Sequence, residues 1–207
     1  LMNLIRELTA VPSNKKEAAK IGEMEDCVQE INDIVQNVLI SFRLTDGRQT
    51  LWLEPVELSE ELERTVREIS KRAEQKKQSI SVNKPGNVPR ILADRTSVRG
   101  ILYNLIDNAV KFTPSGGAVT ISVSGEHDVR VTVCDTGPGI PLEDRTRLFQ
   151  RFERLSPRPT GGESSTGLGL HVSRELAVMN GGSLEYGADS PGACFVLTLK
   201  RYYGGEV

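Results

Sequence analysis

Apolar residues recur along the chain with two different periods, and each change of period marks an element. Between residues 24 and 44, Met24, Val28, Ile31, Val35, Val38 and Phe42 follow alternating steps of four and three, with Glu25, Asp26, Glu30 and Asp33 outside the seam. Leu1, Leu4, Ile5 and Leu8 already keep a helical period with no cap before them, so this helix is expected to begin upstream. A heptad seam on one helix would leave an apolar stripe in water. The pattern therefore predicts that residues 22–44 pair with the first helix, and with a second copy of the pair, in a four-helix bundle. A helix lying on the core of the main domain is the alternative. The polar turn "TDGRQ" at 45–49 separates a partial helical hairpin, 1–50, from a second domain, 51–207.

In that second domain "LWLEPVEL" reads as a short strand, and the following segment as a helix capped by Ser59 with Leu62, Val66, Ile69 and Ala73 on one face. "SISV" and "RILA" are short strands, and Asp94 caps the next helix. "AVTISVSG" and "VRVTVCDTG" alternate as a hairpin joined by "EHD". From Gly137 to Thr166 the chain is rich in Gly, Pro, Ser and charge, interrupted only by "RTRLFQRF", the composition of a functional loop. "GLGLHVSRELAVMN" forms a helix stopped by Gly181 and Gly182, and "GSLEYG" and "ACFVLTLK" are closing strands.

Composition narrows the class. With 38% apolar and 26% charged residues over 207 positions, the chain has the balance of a soluble globular protein with a real core. A formal net charge of -2 argues against nucleic acid as a partner. Cys27, Cys134 and Cys194 are widely spaced without a CxxC pair, which reads as reduced structural thiols in a cytoplasmic compartment rather than a metal site. No apolar run reaches the roughly 18 residues of a membrane helix, and "LMNLIREL" lacks the flanks of a signal peptide. Any membrane anchor is expected only upstream.

Three polar or glycine-rich spots carry the candidate chemistry. In "NLIDNAVKFTP", Asn104, Asn108 and Lys111 interrupt an apolar helix at steps of four and three, although asparagine is a poor helix former. "DTGPGI" and "STGLGL" each hold a glycine pair that lets the backbone approach a ligand and turn its N–H groups toward an anion. The second pair runs directly into a helix N-terminus, as phosphate binding requires. No GxxxxGK[ST] exists, which excludes a P-loop, and "GLG" lacks the third glycine and following acid of a dinucleotide fold.

Taken together and in this order, the motifs resemble those of the sensor histidine kinases of two-component systems. "NLIDNAVKFTP" is similar to that family's asparagine box, "DTGPGI" to its first glycine box, "LFQRFER" to its phenylalanine box, and "STGLGL" to its second glycine box. The resemblance covers about residues 51 to 200. It implies an α+β fold: the ATP-binding α/β sandwich shared with gyrase, a heat-shock chaperone and MutL, a mixed sheet with helices on one face, here preceded by a partial dimerisation hairpin.

The resemblance also assigns roles. Asn108 would ligate Mg²⁺ through its neutral amide oxygen, the kind of ligand a hard cation takes. Asn104 would sit near the phosphates, Lys111 would contact them as a point charge, and Phe112 would pack beside the nucleotide. Asp135 would accept the adenine amino group, while Gly137, Gly139 and Ile140 fold around the base. Arg154 would reach the γ-phosphate, and Thr166, Gly167, Leu168, Gly169 and Leu170 would close a mobile lid over the phosphates.

Only His127 and His171 are present, and neither lies at an acceptor position; His171 reads as a partly buried packing residue. In the family the acceptor precedes a stretch similar to "LMNLIREL", so it is expected a turn or two upstream of Leu1. This chain is then expected to bind Mg·ATP without phosphorylating itself at the usual place. The implied partners are a second copy of the chain through the hairpin and the receiver domain of a response regulator. Two alternatives remain: a pseudo-kinase that signals by conformation, and a protein-serine kinase on the same nucleotide fold.

Overall fold

The computed structural model describes residues 15–125, 127–161, 167–187 and 191–204. The period-3.6 segments become helices α1 (Lys15–Thr45), α2 (Leu58–Gln75), α3 (Arg95–Phe112), the single turn α4 (Leu142–Arg145) and α5 (Gly169–Met179). The alternating segments become strands β1 (Glu54–Val56), β2 (Ser79–Asn83), β3 (Ile91–Ala93), β4 (Ala118–Ser124), β5 (Asp128–Asp135), β6 (Ser183–Gly187) and β7 (Cys194–Lys200). Five strands form one sheet in the order β2-β4-β5-β7-β6, and β1 pairs with β3 apart from it. β2 runs parallel to β4 and the other neighbours are antiparallel, so the sheet is mixed.

Strict alternation gives this sheet two unlike faces. Val119, Ile121, Val131, Val133, Leu197 and Leu199 are buried on one face, against Leu62 and Ile69 of α2, Leu102 and Leu105 of α3, and Val172 and Leu176 of α5. The intervening Thr120, Ser122, Thr132 and Thr198 are only half-buried. Helices thus cover one face, as the family resemblance implies. Each fully buried leucine or isoleucine stabilises this layer by roughly 1.5–3 kcal/mol, and Leu105→Ala is expected to cost about 2–5 kcal/mol.

Three sequence expectations change. Among the described residues α1 is already helical at Lys15, before residue 22, and "KKEAAK" is made of good helix formers. α2 starts at Leu58 with Glu57 at the N-cap and no side-chain capping bond, so Ser59 lies inside the helix; Glu60 and Glu61 in the first turn offset the exposed N–H groups instead. After α4 ends at Arg145, "RTRLFQRF" continues as turns within the loop region. Cys134 and Cys194, taken as separate thiols, stand directly opposite each other on β5 and β7 and form a disulfide, while Cys27 is free and exposed.

α1 shows both faces that the heptad reading weighed. Ser41 is buried, and Ile40 and Leu44 pack against the core of the sheet domain. Met24, Ile31, Val35 and Phe42, all on the seam, remain exposed, Phe42 by 68%. The first predicted helix, residues 1–8, lies outside the described residues.

Candidate functional site

The site is built on α3, and α3 is anchored by Asp94. Its Oδ1 accepts the Ser97 N–H at 2.7 Å as an N-cap, and its Oδ2 accepts the Trp52 N–H at 3.0 Å. Burial pushes this carboxyl up, but the N–H donors of Trp52 and Ser97 outweigh it and hold the group below the usual aspartate range. At the other end, the Lys76 ammonium donates to the carbonyls of Val110 and Lys111 at 2.8 and 3.0 Å, and Gln78 donates to Thr113 O at 2.6 Å. Both ends of α3 are therefore fixed against the α2 side of the domain.

Between these anchors, Leu102, Leu105, Ile106, Ala109 and Val110 are buried, whereas Asn104, Asn108 and Lys111 line a cavity of about 300 Å³. Asn104 Nδ2 donates to Ser173 Oγ on α5 at 2.9 Å, and Asn108 Nδ2 lies 3.4 Å from Asn104 Oδ1. With its amide nitrogen turned toward Asn104, Asn108 keeps its own oxygen as an acceptor. Lys111 Nζ lies 2.9 Å from Asp107 Oδ2, one turn earlier on the helix.

The far wall comes from the end of β5. Asp135 is buried and its Oδ1 accepts the N–H groups of Gly137 at 2.7 Å and Ala193 at 3.2 Å. Burial pushes its carboxyl above the usual range, and the two backbone donors only partly oppose this. Gly137 is required by this close turn: a Cβ there would stand 2.8 Å from both Asp135 Oδ1 and Phe112 O. Gly139 adopts a φ of +69°, in the left-handed region that favours glycine.

Of the remaining predicted residues, Phe112, Gly139, Ile140, Arg154, Gly167, Gly169 and Leu170 also line the cavity. Arg154 is exposed and has no ion-pair partner among the described residues. Gly137 lies behind the Asp135 carboxylate, Leu168 is buried and precedes α5, and neither lines the cavity. Thr166 lies outside the described residues. The loop beneath Arg154 is held by Asp144, whose Oδ2 accepts the Ser156 N–H at 2.8 Å and whose Oδ1 meets Arg147 at 2.6 Å. The Ser156 bond, then Arg147, holds this carboxyl below the usual range against its burial.

Several lining residues carry no role that the resemblance assigns. Asp107 shares the cavity wall, and its spacing of four from Lys111 was the available signal. Ile34, Asn37 and Ile40 of α1 also line the cavity, and only the fold brings them there. His171 is half-buried on α5, as its packing reading expects, but it is also bonded: its Nδ1 pairs with Phe149 O at 3.0 Å and its Nε2 accepts from Arg151 Nε at 2.8 Å. Arg151 Nη1 donates in turn to Thr45 Oγ1 at 2.6 Å, tying α5 to the end of α1.

A carboxylate at a strand end, an asparagine stripe and a glycine-led helix now enclose one cavity, and a family model decides their kinship. The model for histidine kinase-, DNA gyrase B-, and HSP90-like ATPases matches residues 93–202. The chain belongs to this family. It carries the catalytic ATP-binding domain of a sensor histidine kinase.

Among curated relatives, this kinase domain is similar to the adaptive-response sensory kinase SasA of Prochlorococcus marinus, 30% identical over 95% of this chain and 54% of that protein. The chain thus spans about half the length of this relative. Among solved structures it is similar to full-length ShkA in complex with AMPPNP, with a TM-score of 0.72, 28% identity and coverage of 96% of this chain and 42% of that one. The mycobacterial sensor histidine kinase MprB gives a TM-score of 0.63 at 25% identity, covering 72% of this chain and 100% of that one. No helix among the described residues is long and apolar enough to cross a membrane.

Among the described residues no group of three His, Cys, Asp or Glu side chains gathers to hold a metal ion. A single neutral amide oxygen, from Asn108, suits a hard cation that arrives on a triphosphate and keeps most of its other oxygen ligands from phosphate and water.

Proposed function

We infer that this chain is most of the catalytic core of a sensor histidine kinase, binding Mg·ATP and transferring its γ-phosphoryl group to a histidine outside this chain, then to an aspartate of a response regulator. The observation that carries the reading is the shared cavity, with a buried adenine-type carboxylate, Asp135, at one wall and Asn104, Asn108, Lys111 and Arg154 at the other. In this reading Asp135 accepts the adenine amino group, and a base presenting an acceptor there would leave the buried carboxylate unpaired. Phe112 and Ile140 pack on the base.

The bound Mg²⁺ would neutralise phosphate charge. Asn108 supplies it one oxygen, Lys111 steadies phosphate oxygens, and Arg154 swings onto the γ-phosphoryl group as charge develops there. The backbone N–H groups of Gly167, Gly169 and Leu170, at the start of α5, serve the phosphates in this reading. In transfer, an imidazole nitrogen forms the N–P bond while the bond from the γ-phosphorus to the bridging oxygen breaks and ADP leaves. The protein contributes position and charge, with no covalent intermediate of its own in this domain.

The exposed seam on α1, with Ile31, Val35 and Phe42 in water, supports the further reading that residues 1–50 belong to a dimerising hairpin and 51–207 to the nucleotide domain. An ATP substrate supports cytoplasmic placement, while the Cys134–Cys194 disulfide removes the reduced-thiol argument for it. The test is to give the natural full-length protein γ-labelled Mg·ATP and challenge the label with acid and base. An acid-labile, base-stable label supports a histidine kinase. An acid-stable label would favour a protein-serine kinase, and ATP binding without any label would favour a pseudo-kinase.

A further inference from the structure

Asp107 is a carboxylate that the nucleotide chemistry above leaves unused, and it is only 5% exposed. It sits on α3 between two cations. Lys111, on the cavity wall, lies 2.9 Å from its Oδ2, and Arg72 of α2 pairs with its Oδ1 from the other side. Lys111 and Asp107 line the cavity, whereas Arg72 does not. Both acidic oxygens are therefore committed to cations, and the chain Arg72–Asp107–Lys111 runs from α2 to the place where phosphates are read.

We propose that Asp107 is a positioning residue for nucleotide binding, holding the Lys111 ammonium on the cavity wall, and that Arg72 offsets its negative charge. The inference rests on the Mg·ATP reading of the cavity. A lysine stem has four rotatable bonds, and a partly buried ammonium group on a cavity wall keeps one position best beside an anion. An isolated Asp107–Lys111 pair would be neutral and would attract phosphate weakly. With Arg72 on the second oxygen, one carboxylate is shared by two cations, and the cluster keeps a net positive charge facing the cavity. Charge removed at Arg72 should then be felt at a site that Arg72 does not touch.

The test is a double-mutant cycle, with Mg·ATP affinity measured by calorimetry on this chain. Asp107→Asn is expected to raise the Kd about ten-fold in the native background and to change it little in a Lys111→Met background. Equal losses in both backgrounds would overturn the proposal, because Asp107 would then act through the fold rather than through Lys111. Arg72→Gln supplies a second measurement should Asp107→Asn not fold. It is expected to weaken binding roughly three-fold, again only where Lys111 is present, and unchanged binding in the native background would overturn the charge-offset argument. Failure of the unaltered chain to bind Mg·ATP is a separate outcome that overturns the nucleotide reading itself, and this inference with it.

Discussion

Asp135 and Ala193 hold each other through two hydrogen bonds: the Asp135 N–H donates to Ala193 O at 2.9 Å, and the Ala193 N–H donates to Asp135 Oδ1 at 3.2 Å. The carboxylate is thereby aimed by the start of β7, a segment distant in sequence, as well as by its own strand. Burial raises the Asp135 carboxyl above the ordinary aspartate range, so the folded chain keeps this proton to a higher pH than the unfolded chain. Folding is favoured by this group as pH falls through the raised value, while adenine recognition needs the charged form. Mg·ATP affinity should therefore fall as pH drops through a value above the usual range for aspartate. Asp135→Asn should remove that step from the pH profile and erode the preference for ATP over GTP by about ten-fold or more. Identical pH profiles for the two proteins would contradict the assignment.

Asp144 shows the opposite shift. Its carboxyl is held below the usual range, first by the Ser156 N–H, so its contribution is present above the unfolded-state value and disappears as pH falls through the folded one. The loop carrying Arg154 should thus stay latched at neutral pH and loosen only in acid. Asp144→Asn is expected to speed amide hydrogen exchange at Ser156 at neutral pH, with β5 and β7 unaffected.

Gly169 begins α5 with its Cα against the Asn104 side chain, so a Cβ at this position would collide with the Asn104 amide. Gly169→Ala should displace Asn104 from Ser173 and weaken Mg·ATP binding about ten-fold while leaving the thermal midpoint nearly unchanged. A matching loss of stability and affinity would point instead to a disturbed α3–α5 packing.

The Cys134–Cys194 disulfide closes a long loop, with a sequence separation of 60. Chain entropy gives such a link about 4 kcal/mol, so a reductant should lower the unfolding temperature by roughly ten degrees. Cys134→Ser should make the midpoint insensitive to reductant. Equal midpoints with and without reductant in the unaltered chain would show that the link contributes nothing to stability.

Much of this architecture was legible because local chemistry and global position agree. Asp94 caps α3 as its place before an apolar helix suggests, and the two alternating runs from Ala118 and Asp128 pair as a hairpin. Ser59 misled because a favourable capping residue one position inside α2 is indistinguishable from a cap without the backbone. The cysteine pair was hidden because β5 and β7 meet only through sheet register. The motif residues that line the cavity were readable from spacing and resemblance. Ala193 and the α1 residues were not, since their approach depends on how helices and strands pack; Asp107 stands four residues before Lys111 in the same motif, but its bond to Arg72 of α2 is set by helix packing.

The central claim, that this cavity holds Mg·ATP through the asparagine stripe, is tested most directly by calorimetry with Mg·ATP on the chain and on Asn108→Ala. One-site binding that depends on Mg²⁺ and weakens about ten-fold or more in Asn108→Ala is the expected result. Binding that is indifferent to both Mg²⁺ and Asn108 would contradict it.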